Sequence, residues 1–284
     1  MDANGVTFAF YEMGTGPLAL CLHGYPDSAH TWRHLLPRLA DAGYRAVAHF
    51  ERGYAPTSIP ADGRYQSGVL GVDANALHDA LGGDADAVII GHDWGAIGTY
   101  AATGIEPGRW RRAVTMAVPP GTATPEAMLS YDQLRLSWYM FFQLTPLSDV
   151  IIGSSNWDFI KKLWADWSPG YDGAADAQGF IDTMATPENL TAALGYYRQT
   201  IQFELQDPSL AAAQAATFTV PDLPLLNLHG RTDGCMGAWV AEKAAGAVTR
   251  TDSRIVIVED AGHFLHLERP DEVNRLVLDF LAEG

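Results

Sequence analysis

The stretch Val88-Ile89-Ile90-Gly91-His92-Asp93-Trp94-Gly95-Ala96-Ile97-Gly98 decides how the rest of the chain is read. An apolar run stops at Gly91, and Gly91 and Gly95 stand on either side of Asp93 in a Gly-x-Asp-x-Gly spacing. A reactive residue held on a sharp strand-to-helix turn sits in strained backbone geometry, so its neighbours must lack bulk. The spacing meets that demand and reads as a nucleophile elbow, with Asp93 projected from the top of a sheet. The next amide, that of Trp94, then points at the reacting centre beside a helix N-terminus. A carboxylate in this position attacks carbon and leaves an ester that water can hydrolyse. The competing reading is an Asp that caps a helix after a buried strand.

Outward from the elbow, strand and helix alternate. Val6 to Tyr11 alternates as an edge strand, and the continuous apolar run Leu18 to Leu22 implies burial on both faces. Ser28 is placed to cap a helix over Trp32, Leu35, Leu36 and Leu39. Tyr44 to Phe50 reads as a strand and Gln66 to Leu81 as a helix stopped by Gly82-Gly83. Beyond the elbow, Arg112 to Val118, Leu225 to Leu228 and Arg254 to Val258 read as strands, with helices around Ala238 to Ala247 and Asp271 to Leu281. The pattern predicts an α/β fold, a mostly parallel central sheet flanked by helices. Between Pro119 and Pro221 the rhythm turns helical, and Trp138, Trp157, Trp164 and Trp167 crowd the region. The expected organisation is a core built from residues 1–119 and 221–284 with a helical cap, residues 120–220, inserted into it.

The 284 residues, 48% of them hydrophobic, suffice for a large core in one or two domains. Lys and Arg number 18 against 34 Asp and Glu, a formal charge of −16 that argues against nucleic acid or an anionic membrane as partner. Cys21 and Cys235 form no disulfide framework and no zinc spacing, which fits a reducing cytoplasm. Met1 to Gly16 lacks the basic start and apolar core of a secretory signal, and no apolar run approaches the roughly 18 residues of a membrane span.

A carboxylate nucleophile needs a base to activate the water of its second step, and that base needs an orienting acid. His229-Gly230-Arg231-Thr232-Asp233-Gly234 follows one predicted strand, and Gly262-His263-Phe264 follows the last. Alone, an Asp in a Gly-flanked turn is turn chemistry and a lone His is structural. At successive strand ends, in the order nucleophile, acid, histidine, they read as a triad of Asp93, Asp233 and His263.

With these motifs the whole chain resembles the α/β-hydrolase superfamily, in the branch of epoxide hydrolases and haloalkane dehalogenases. Gly91-His92-Asp93-Trp94-Gly95 matches that branch's nucleophile motif, and His23-Gly24-Tyr25-Pro26 its oxyanion loop. The resemblance implies an α/β-hydrolase fold with an inserted cap, an oxyanion hole from the amides of Tyr25 and Trp94, and a cis Tyr25-Pro26 bond. Arg52-Gly53-Tyr54 matches a further loop and implies a structural Arg52, although Ala48-His49-Phe50-Glu51 departs from the usual lead. Epoxide hydrolases hold the epoxide oxygen with two cap tyrosines. Ser137-Trp138-Tyr139-Met140-Phe141-Phe142-Gln143 and Gly195-Tyr196-Tyr197-Arg198 resemble those segments, pointing to Tyr139 and Tyr197, with Tyr196 as the alternative second donor. Packing alone is the simpler role for such aromatics.

The implied reaction takes a small-molecule epoxide and water to a vicinal diol through an ester on Asp93, with no metal or organic cofactor. Trp94, Trp138, Tyr196 and Phe264 are the expected substrate-binding residues, and a homodimer is as plausible as a monomer. A haloalkane dehalogenase would share Asp93, but Tyr25 stands where such enzymes often carry Asn. A fluoroacetate dehalogenase would carry Arg after the nucleophile, where Trp94 and Ala96 stand. A non-catalytic ligand receptor on the same fold is the reading from another class. His23, His92 and His266 are expected to orient loops or pack, and Cys235 to be inert packing.

Overall fold

The structure, a computed structural model, describes residues 1–121 and 125–283. Its strands are β1 (Asp2–Ala3), β2 (Val6–Thr7), β3 (Phe10–Met13), β4 (Leu18–Leu22), β5 (Arg45–His49), β6 (Val88–His92), β7 (Arg112–Met116), β8 (Leu225–Gly230) and β9 (Arg254–Val258). Seven of them form one sheet in the order β3-β5-β4-β6-β7-β8-β9, with β3 antiparallel to β5 and every other pairing parallel. The fold is the expected α/β one.

Continuous apolar strands are what a sheet covered on both faces requires. In β4 and β6 every residue is buried. Ala19, Cys21 and Ile90 join an apolar cluster with Trp32, Leu35, Val273 and Val277, whereas Leu18, Leu20 and Ile89 join another with Ala74, Leu77, Tyr100 and Ala102. The period-two alternation of side chains thus sends neighbouring residues to opposite helical layers. One layer holds α1 (Leu35–Asp41) and the C-terminal helix Pro270–Ala282; the other holds α2 (Gly68–Ala80) and α3 (Trp94–Ile105).

Two local expectations are corrected. Val6 to Tyr11 is not one strand: β2 pairs back on β1, and only β3 reaches the edge of the main sheet. Ser28 stands at the start of a helical turn, Ala29–His34, that leads into α1, but its side chain makes no capping bond. Between β7 and β8 the described residues carry helical elements alone, from Pro125–Met128 to Ala211–Ala216. Among the described residues no helix is long and apolar enough to cross a membrane.

Candidate active site

Asp93 sits between the end of β6 and the start of α3 with φ 54° and ψ −118°, a conformation that a non-glycine residue reaches only under constraint. A side chain at Gly91 would strike the carbonyl of Gly95, and one at Gly95 the carbonyl of Leu22. The turn closes only because both are glycine. Asp93 is 6% exposed. Its Oδ1 accepts the Tyr25 amide at 2.8 Å, and the Trp94 amide also bonds the carboxylate. Tyr25-Pro26 is cis. Burial raises the pKa of Asp93, against which His263 and the two amides pull it back.

Asp233 lies in the loop after β8, and His263 in the loop after β9. Asp233 Oδ1 accepts the amides of Cys235 at 2.7 Å and Met236 at 2.9 Å, leaving Oδ2 3.0 Å from His263 Nδ1. A carboxylate can only accept, so Nδ1 carries a proton, and a base's lone pair can appear only at Nε2. That atom is buried without a hydrogen-bond partner, 3.7 Å from Asp93 Oδ2. Burial disfavours charge on His263, but the Asp233 carboxylate outweighs it and holds the imidazole well above its ordinary pKa.

The neighbouring loops are pinned. The Trp167 carbonyl accepts the amides of Gly234 and His263, at 3.1 Å and 2.9 Å. His92 Nε2 donates to the His263 carbonyl at 2.9 Å, and His23 Nε2 accepts the Glu51 amide at 3.0 Å. His266 stacks on Trp32 with its Nε2 2.5 Å from Thr31 Oγ1. Arg52, fully buried, is clamped on Asp73 at 2.5 Å and 2.6 Å.

Facing these charges are the two tyrosines of the helical segment. The Tyr139 hydroxyl lies 3.2 Å from Cys235 Sγ, with its ring against Trp167 and Tyr197. The Tyr197 ring lies 5.3 Å from that of Tyr25 and 4.9 Å from Trp94, and its hydroxyl is buried without a partner. Burial pushes both phenols well above their ordinary pKa, and the Asp93 charge adds to the rise in each. Adjacent Tyr196 turns the other way and spends its hydroxyl on the Arg52 carbonyl at 2.8 Å. Trp138 is not brought into this group. It is 49% exposed and packs on Phe142 and Phe159, because successive residues of a helix point about 100° apart and Tyr139 takes the inward face. Phe264 stacks flat on Trp164 at 3.4 Å and edges the His263 ring, a wall behind the histidine.

The family described as alpha/beta hydrolase fold matches residues 17–270. The chain belongs to the α/β-hydrolase family. Over 99% of its length it is 28% identical to epoxide hydrolase A of Mycobacterium tuberculosis, covering 96% of that protein. It is 30% identical to epoxide hydrolase 3 of Xenopus tropicalis over its whole length and 77% of the relative. Among solved structures it superposes on an epoxide hydrolase from an endophytic Streptomyces with a TM-score of 0.78 and 28% identity, covering 99% of this chain and 93% of that one.

In this hydrolase two residues of the site escaped the sequence reading. Cys235 was expected to be inert packing, yet its sulfur lies beside Tyr139, Asp93 and His263. The Asp233–Cys235 amide bond turns it inward, a contact that a loop sequence does not display. Gln143 is fully buried near Tyr25, and neither its side-chain amide nor the Tyr25 hydroxyl has a hydrogen-bond partner in the resting site. Its spacing of four from Tyr139 was the available signal, since that places both on one helix face.

Proposed function

We propose that this hydrolase converts an epoxide to a vicinal diol, with Asp93 as nucleophile, His263 as base, Asp233 as its orienting acid, and Tyr139 and Tyr197 as donors to the epoxide oxygen. The observation that carries the reading is the pair of buried phenols across from Asp93, one of them with a free hydroxyl. Opening an epoxide generates an alkoxide, a poor leaving group unless proton donors sit over it. Phenols whose pKa is pushed up stay protonated and available to donate.

Asp93 Oδ2 attacks an epoxide carbon, the carbon–oxygen bond breaks, and the oxygen takes a proton from a tyrosine. Esterification removes the negative charge beside His263 Nε2, which weakens that imidazole's hold on a proton and frees it as a base. A water loses its proton to Nε2 and attacks the Asp93 ester carbonyl. The oxyanion forms on Oδ1, the atom already bonded to the Tyr25 amide, so the resting contact becomes the stabilising one; each such donor is worth roughly 3 kcal/mol. The ester bond breaks, the departing alkoxide takes the imidazolium proton and leaves as the diol, and the water's second proton, left on the Asp93 carboxylic acid, returns to the tyrosinate. The helical segment, residues 120–220, serves as a cap on a core of residues 1–119 and 221–284, and the Trp167 carbonyl ties it to both catalytic loops. Trp94 lines the pocket. Two free buried thiols support a reducing cytoplasmic setting. The exposed apolar residues Tyr131, Leu134 and Phe141 support a homodimer, checked by sedimentation.

The deciding experiment mixes a His263→Gln variant with styrene oxide, and separately with 1-bromobutane, and reads intact mass and peptide maps. A gain equal to the whole epoxide on the Asp93 peptide is expected. A butyl gain without an epoxide adduct would make the protein a dehalogenase, and no adduct from either would favour the receptor.

A further inference from the structure

We propose that Asp93, Cys235 and His263 together form a binding site for a thiophilic divalent cation such as Zn²⁺, and that its occupation switches the hydrolase off. One ligand atom from each residue lies within 4.8 Å of the other two, and all three residues are buried. His263 Nε2 and Asp93 Oδ2 are 3.7 Å apart, close to the roughly 3.4 Å that separates ligand atoms around a tetrahedral zinc with bonds of about 2.0–2.1 Å. His263 Nε2 is buried without a hydrogen-bond partner, and it offers a lone pair once its proton has left. The Asp233 carboxylate behind it, 3.0 Å from Nδ1, is the arrangement that orients a metal-binding imidazole and raises its basicity. The sulfur decides the class of ion: thiolate selects Zn²⁺ and its soft neighbours over Mg²⁺ or Ca²⁺. The Cys235 amide is fixed on Asp233 Oδ1, and the Tyr139 hydroxyl, 3.2 Å from Sγ, is placed to donate to the thiolate.

Binding is balanced as follows. The Cys235 thiol proton leaves to solvent, together with the His263 proton where one is present. Asp93 supplies its carboxylate, so one thiolate and one carboxylate neutralise the dication. The ion thereby occupies both the nucleophile and the lone pair of the base. Cation and substrate exclude each other, and the alkyl-enzyme, whose Asp93 is esterified, is protected. A second buried group, Asp27, His92 and His266, offers nitrogen and oxygen but no sulfur, and serves as an internal control.

The test uses the full chain freed of metal by a chelator and titrated with Co²⁺. The expected result is one thiolate-to-cobalt charge-transfer band per chain, lost in Cys235→Ser and Cys235→Ala and kept in Cys21→Ser. Zn²⁺ abolishes the band, and it raises KM for epoxide while leaving kcat unchanged. In Cys235→Ser, measured against that variant's own metal-free rate, the half-inhibiting Zn²⁺ concentration rises about tenfold or more. A missing band, a band that survives in both Cys235 variants, bound cobalt without a sulfur band, or unchanged zinc inhibition in Cys235→Ser would each overturn the proposal. The cobalt spectrum needs no substrate, so it stands or falls separately from the epoxide assignment.

Discussion

The two sides of the candidate site hold their functional groups by opposite means. On the sheet side, the Asp93 and Asp233 carboxylates are fixed by backbone amides of their own and neighbouring loops. On the helical side, Tyr139 and Tyr197 are held by ring packing, and the Tyr197 hydroxyl has no partner. The difference follows from cost. A buried charge without partners is prohibitive, whereas a neutral hydroxyl left unpaired costs on the order of 1–3 kcal/mol, a strain a fold tolerates where the group must be free for substrate.

Substitutions on the two sides therefore fail differently. Asp93→Asn should abolish both adduct formation and turnover, a loss of at least about 10⁴-fold in kcat, because no amount of packing replaces the attacking oxygen. Steady-state diol formation checks it, and appreciable turnover would end the nucleophile assignment. Tyr197→Phe should cost roughly 10²-fold in kcat with little change in thermal stability, as its hydroxyl bonds nothing in the resting protein. Tyr196→Phe should do the reverse. It leaves the Arg52 carbonyl unpaired and lowers stability by about 1 kcal/mol while changing kcat little, so denaturation melts of the adjacent pair sharpen the comparison directly.

Asp27 sharpens it through pH. Burial pushes its pKa up to about 7, so between its ordinary value and about 7 the folded protein holds a proton that the unfolded chain has released. Excess protons on the folded state mean stability that falls as pH rises through that window. Asp27→Asn should therefore gain stability relative to the parent as pH goes from 4 to 7, by up to a few kcal/mol. Urea midpoints at both pH values test this, and a pH-independent difference would refute it. The smallest effect belongs to Trp138→Ala: on the outer face of its helix it should change KM by less than about threefold, and a larger change would bring it back as a substrate contact.

Legibility in the sequence divided along the same line. The elbow could be read because its constraint is local: a strained turn demands glycine at two fixed offsets from Asp93, whatever lies elsewhere. The strands could be read because burial on both faces demands unbroken apolar runs, and Leu18–Leu22 and Val88–His92 form as expected, buried throughout. The split of β2 from β3 could not, since it depends on β1 pairing back on β2.

What the sequence by itself determined was the α/β order of elements, the turn at Asp93, and the placing of Asp233 and His263 at successive strand ends. What only the tertiary structure decided was which of two adjacent tyrosines faces Asp93, that Trp138 faces outward, and that Cys235 lies beside Asp93, His263 and Tyr139. The physical reason is range. Glycine offsets and apolar runs answer to forces within a few residues, whereas the direction of a side chain on a helix or loop is set by partners such as the Arg52 carbonyl and Trp167, which folding alone brings near.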